Sequence, residues 1–291
     1  MLTLKATISN QIKKYWPLIK SLQTGLLLMT GLAGYMSSRC PIFNVTTVLA
    51  LTGSLFLAIS GSTVLNMWYD RDIDALMQRT CMRPLPNGDV SPPEALRFGI
   101  VLSVLGIAWS FLIDPLYGAV VFAGLFFDVV VYTIWLKRRT CWSILWGGLS
   151  GAMPVLAGRA LGVGGLDWVA FALAAGILFW IPTHILTFSM RYHRDYKAAG
   201  IPTFASTYGF KTTRLTIAIS SIVAACAMIA AAVGIGMSWG YLRMLASLSG
   251  ILLLLAVYLT VRPSERANFG LFKYASLFML SAMLMIVLDV L

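Results

Sequence analysis

In a chain of 291 residues, 59% hydrophobic and only 11% charged, the apolar side chains outnumber what a water-soluble fold can bury, since soluble domains carry about 25% charged residues. The formal net charge of +11 raises the question of a nucleic-acid partner, but the basic residues gather in loops between apolar stretches, which excludes that reading. The sequence is that of an all-α polytopic membrane protein.

Nine apolar stretches follow one another, at about 18–36, 45–68, 95–113, 116–135, 142–160, 168–189, 215–237, 241–261 and 269–288. Each approaches the roughly 20 residues that cross a bilayer core as a helix. Helices are required because lipid leaves backbone groups unsatisfied in any open structure. The first stretch is the weakest, interrupted by Lys20 and Gln23. With nine spans, all but three of the 22 Lys and Arg residues fall on one side, the exceptions being Arg39, Arg159 and Arg243. The positive-inside rule then sets the N-terminus in the cytoplasm and the C-terminus outside. No cleavable signal or transit peptide is evident, so a prokaryotic plasma membrane is expected. Cys40, Cys81, Cys141 and Cys226 lack metal-ligand spacing and read as ordinary thiols, Cys40 outside and Cys81 and Cys141 inside. Residues 1–291 read as one membrane domain, without linker or soluble appendage.

The connection after the second span carries Asn66, Asp70 and Asp74 at intervals of four. If the helix continues through it, all three share one stripe. Two carboxylates one turn apart repel by about 0.2–0.5 kcal/mol, which a purely structural helix gains nothing from. A divalent cation removes the penalty, and carboxylate and amide oxygens suit Mg²⁺; the alternative is a solvated acidic helix end, which the helix dipole disfavours. Asp72 points elsewhere on the same helix. Arg79 and Arg83, again four apart, offer bidentate donors to phosphate, or anchor the loop to the membrane. Pro84 and Pro86 stop the helix, Asn87-Gly88 turns the chain, and Ser91 with Glu94 forms a capping box for the third span.

Inside the fourth span lies Asp128, and inside the sixth His184, ionisable residues where lipid would exclude them unless a cavity or partner is near. Lys137, Arg138 and Arg139 link spans four and five, either as anchors or as phosphate ligands. The connection after span six holds Arg191, Tyr192, His193, Arg194, Asp195 and Lys197. Arg191 and Asp195 are spaced as helix neighbours, giving either a surface ion pair or, facing the first loop, one more carboxylate and several cations for a diphosphate.

The Asn66-x₃-Asp70-x₃-Asp74 pattern resembles the first acidic motif of the UbiA superfamily of membrane prenyltransferases. The runs DRDIDALMQRTCMRPLPNGDVSP (70–92), YTIWLKRRTCWSILWGGLSGAMPVLAG (132–158) and RYHRDYKAAGIP (191–202) resemble its haem O synthase (protoheme IX farnesyltransferase) branch. The resemblance implies nine helices around a central cavity that opens sideways to lipid. It also implies Mg²⁺-dependent transfer of a farnesyl group from farnesyl diphosphate to a vinyl group of haem B, or to another lipophilic acceptor. By motif match, Asn66, Asp70 and Asp74 hold the Mg²⁺ and its diphosphate, and Asp195 is the surviving acid of a second motif in which Arg191 replaces the first. Arg79, Arg83, Lys137, Arg138, Arg191, Tyr192 and Lys197 are the implied diphosphate ligands; His184, on its own chemistry, is either a hydrogen-bonded bundle histidine or a residue facing the acceptor. The chain departs from the branch at Thr183, Ile185, Arg159 and Thr203, near the implied acceptor side. An aromatic quinone precursor or a lipid as acceptor, and more remotely a transporter function built around Asp128, remain the alternatives.

Overall fold

A computed structural model describes residues 13–39 and 44–291; Cys40 lies outside them. Among the described residues every regular element is helical. A 3₁₀ turn, Trp16–Ile19, leads into α1 (Ser21–Met36), followed by α2 (Val45–Tyr69), the short α3 (Arg71–Leu76) and α4 (Pro92–Ile113). Next come α5 (Pro115–Leu136), whose second half from Phe126 is π-helical, α6 (Ser143–Val163) and α7 (Trp168–Arg191). The chain ends with the short α8 (His193–Ala198), then α9 (Phe204–Ile235), α10 (Trp239–Val261) and α11 (Glu265–Leu288).

Eight helices, α2, α4, α5, α6, α7, α9, α10 and α11, are long and apolar enough to cross a bilayer. The protein is a multi-pass membrane protein. The first expected span is shorter than the sequence suggests. Lys20 takes a left-handed backbone (φ 46°, ψ 60°) and separates the 3₁₀ turn from α1. The 16 residues of α1 reach only about 24 Å at 1.5 Å per residue, less than a hydrocarbon core of roughly 30 Å.

The helix starts follow local chemistry. The Asn44 side chain accepts from the amides of Thr46 and Thr47, Asp114 caps α5 ahead of Pro115, and Thr203 with Ser206 closes a capping box on α9. The box expected from Ser91 and Glu94 does not form: Ser91 makes no side-chain cap, and Glu94 instead binds Lys14 and Tyr15 of the N-terminal segment. Lateral packing sets the bundle, α1 against α6, α2 against α4, α7 against α6 and α9, and α11 against α7. Lipid offers no hydrophobic drive to bring helices together, so close backbone contact through small residues has to do it. At the α1–α6 crossing a Cβ on Gly158 would lie 1.9 Å from the Gly31 carbonyl oxygen, and one on Gly34 2.1 Å from that of Val155; no side chain fits at either position.

The loop after α2 is seated rather than free. Leu85 and Val90 from this loop bury with Leu18 and Ile19 of the 3₁₀ turn and with Val64, Met67 and Ala95 of α2 and α4. This apolar patch holds the polar residues of the loop over one end of the bundle.

Candidate active site

The stripe survives a bend in the helix. α2 ends at Tyr69 and Asp70 sits at the junction (φ −86°, ψ 3°) before α3. The helical hydrogen bonds nevertheless continue, from the Asp70 amide to the Asn66 carbonyl (3.0 Å) and from the Asp74 amide to the Asp70 carbonyl (2.8 Å). Asp70 and Asp74 are almost wholly buried, at 1% and 2% exposure. A buried carboxylate must be paired, and both are. Asp74 accepts from Arg83 at 2.7 Å, and the ammonium of Lys137, arriving from the end of α5, bonds Asp70 Oδ2. Burial disfavours the charge on Lys137, but Tyr132 and Asp70 outweigh it and raise its pKa above the ordinary lysine value.

Asp70 keeps one oxygen unused. Its Oδ1 is buried, has no hydrogen-bond partner among the described residues and lies 3.8 Å from Arg138. Arg138 is committed to the exposed Asp72 by two bonds of 2.6 and 2.7 Å. Lys20, read in the sequence only as an interruption, also belongs to this neighbourhood, within electrostatic reach of Arg83, Lys137, Asp128 and Asp74. Its one signal in the sequence was a cation placed inside an apolar stretch.

Helix α5 faces the α2 stripe with a polar seam of its own. Ser62, one turn before Asn66, donates to Asp128, and the Asn66 amide donates to Thr133 at 2.8 Å. Over Phe126–Leu136 the helix is wound with five-residue turns, as in the 2.8 Å bond from the Lys137 amide to the Tyr132 carbonyl. Asp128, Thr133 and Lys137 therefore meet Ser62, Asn66 and Asp70 in order.

The second loop differs. Arg191 ends α7, the chain turns at Tyr192, and α8 begins at His193, so Arg191 and Asp195 form no ion pair. Arg191 instead lies 3.9 Å over the Phe269 ring and 5.8 Å from that of Tyr192. Asp195 and Lys197 have no side-chain hydrogen bond or ion-pair partner among the described residues, and Lys197 is exposed. Arg79 bridges the two loops by stacking on Phe188 (4.9 Å) and Tyr192 (5.7 Å), which leaves its in-plane donors available. His184 is stacked between Trp180 and Phe272, its Nδ1 3.2 Å from Ser276 Oγ; it packs against α11 and makes no contact with the acidic stripe. The Arg159 departure is structural: the guanidinium is buried and bonds Asp167 twice and the Ser37 carbonyl.

The comparisons with known proteins agree with this architecture. The model of the UbiA prenyltransferase family matches residues 27–282. The chain belongs to the UbiA prenyltransferase family. Within it, the protoheme IX farnesyltransferase of Archaeoglobus fulgidus is 39% identical over 270 residues, covering 92% of this chain and 94% of that one. A solved digeranylgeranylglyceryl phosphate synthase superposes with a TM-score of 0.80 at 18% identity, over 97% of this chain and 99% of the other. A UbiA homologue from A. fulgidus, solved with GPP and Mg²⁺, superposes at 0.70 with 16% identity, over 94% of this chain and 99% of that one. These two show the shared fold. As a UbiA prenyltransferase the protein is an enzyme, and the transporter alternative falls.

Proposed function

We propose that this prenyltransferase moves a farnesyl group from farnesyl diphosphate to the vinyl side chain of haem B, giving haem O, with the acidic stripe as the diphosphate site. The observation that carries the site is Asp70, a wholly buried carboxylate with one oxygen unpartnered among the described residues, one turn from a second buried carboxylate and ringed by Arg83, Lys137 and Arg138. What supports the acceptor is the near full-length likeness to a protoheme IX farnesyltransferase.

The donor set fits Mg²⁺ of a particular kind. Among the described residues no group of three or more His, Cys, Asp and Glu could hold a metal, so the protein supplies no complete cage. Mg²⁺ commonly binds through one or two carboxylates plus substrate phosphate oxygens, and Asn66, Asp70 and Asp74 supply that partial set. When bound, the metal adds positive charge against the departing diphosphate. Arg83, Lys137 and Arg138 contribute cations held beside two buried carboxylates, where fixed charges act more strongly than in solution. Lys197 and Asp195 of the second loop, with Arg191, Tyr192 and Arg79, close over the same diphosphate.

The C1–O bond of the allylic diphosphate breaks with its electron pair going to the leaving group. The allylic carbon bonds the terminal vinyl carbon, and water adds to the adjacent carbon and releases a proton, leaving a hydroxyethylfarnesyl group. The apolar bundle keeps water from the allylic cation before the acceptor captures it. The loops holding the site face the cytoplasm of a prokaryotic plasma membrane in this reading, because they carry most of the Lys and Arg residues.

Mass spectrometry of products after incubation with farnesyl diphosphate, Mg²⁺ and either haem B or 4-hydroxybenzoate tests the proposal. Haem gaining a farnesyl group and one hydroxyl group is the expected product. Modification of the aromatic acid alone would replace haem as acceptor, and no diphosphate release with either would remove the reaction.

A further inference from the structure

A metal ligand of the amide type works only if its oxygen faces the ion, and the stripe contains one amide, Asn66. Its orientation is determined by a neighbour that no part of the reaction uses. Thr133 is fully buried. Its hydroxyl hydrogen goes to the carbonyl of Asp128 at 2.7 Å, and a carbonyl can only accept. The hydroxyl oxygen is then left to accept, which it does from Asn66 Nδ2 at 2.8 Å. Were the amide reversed, Thr133 would have to abandon the Asp128 carbonyl to serve the Asn66 oxygen. The bond pattern thus settles which end of the amide faces α5.

The winding of α5 makes this possible. In an ordinary α-helix a threonine hydroxyl reaches back three or four residues; here it reaches back five, within a π-helical stretch. Such stretches occur frequently at functional sites.

We propose that Thr133 is a positioning residue: it holds Asn66 Nδ2 against α5 and thereby directs Asn66 Oδ1 toward the cation and diphosphate. This rests on the assignment of Asn66 to the diphosphate site. Groups that orient a metal ligand without touching the metal typically change metal affinity about 10–100-fold when removed.

The test uses the full-length protein in detergent, with Mn²⁺ binding read by electron paramagnetic resonance in the presence of inorganic diphosphate. Thr133→Val keeps the shape and removes the hydroxyl, and is expected to weaken Mn²⁺ binding about tenfold. Thr133→Ser is expected to remain within about threefold of wild type, because it keeps both hydrogen bonds. Asn66→Ala weakens binding, and adding Thr133→Val to it has no further effect. Wild-type binding by T133V, equal losses in T133V and T133S, or additive losses in the double variant would each overturn the inference. Should T133V fail to fold, Thr133→Ala replaces it with the same expectations. Wild-type binding by N66A would instead remove Asn66 from the diphosphate site, a failure distinguishable from one confined to Thr133.

Discussion

The two loops at the capped end of the bundle have similar compositions and opposite physical states. In the first, Asp70 and Asp74 are buried and each is bonded to a cation, one of them delivered by another helix. In the second, Asp195 and Lys197 have no such partners among the described residues, and Arg191 rests on an aromatic face. Holding buried charges in place before a substrate arrives removes reorganisation from the reaction, whereas exposed charges are screened and contribute little until something covers them. In the proposed mechanism the first loop serves as a preorganised site and the second as an adaptable cover, with Arg79 stacked between them.

The contrast breaks if equivalent substitutions in the two loops act alike. Asp70→Asn should lower diphosphate release about 1000-fold, roughly 4 kcal/mol of barrier, while Asp195→Asn should lower it by about tenfold or less. Steady-state assays on both variants measure the difference, and equal losses would end the distinction. The cations give a smaller version. Lys137→Met should reduce turnover about 100-fold and also lower the melting temperature, because it leaves Asp70 buried without its pair. Lys197→Met should change turnover by no more than about threefold and leave melting unaltered.

The bridge between the loops is predicted to matter less again. Arg79→Leu, which removes a cation–π contact worth about 0.5–2 kcal/mol, should raise the KM for farnesyl diphosphate several-fold with kcat nearly retained. An unchanged KM would detach the cover from the site. The smallest effect belongs to Asp72, whose side chain is 60% exposed. The Arg138 hydrogen bonds hold its carboxyl below the ordinary aspartate value. A depressed pKa means a contribution present above about pH 4 and lost as pH falls below it. The melting difference between wild type and Asp72→Asn should therefore be constant from pH 8 to pH 5, amount to less than about 1 kcal/mol, and shrink under pH 4.

Much of this was legible in the residues. Eight spans follow from hydropathy, because a bilayer demands long apolar helices and little else satisfies that demand. The stripe at Asn66, Asp70 and Asp74 follows from a spacing of four, and it persists through the Asp70 bend because the backbone hydrogen bonds do. The π-helical winding was not legible: residues 126–136 are apolar almost throughout, so they show no period to distinguish four-residue from five-residue turns. In retrospect the five-residue intervals from Asp128 to Thr133 and from Tyr132 to Lys137 carry the only trace of it. The stacking of Arg79 depends on Phe188, more than a hundred positions away, and the capture of Glu94 by Lys14 and Tyr15 on another distant contact. Local spacing contains no information about such partners. Arg191 and Asp195 show the reverse error, a helical interval in sequence cut by a turn at Tyr192.

The most direct test is Mg²⁺-dependent release of diphosphate from farnesyl diphosphate by wild type and by the Asp70→Asn, Asp74→Asn double variant, with melting curves confirming that both are folded. The account predicts release by wild type that rises with Mg²⁺, and none from the double variant at any Mg²⁺ concentration. Release at the wild-type rate from the folded double variant would contradict it.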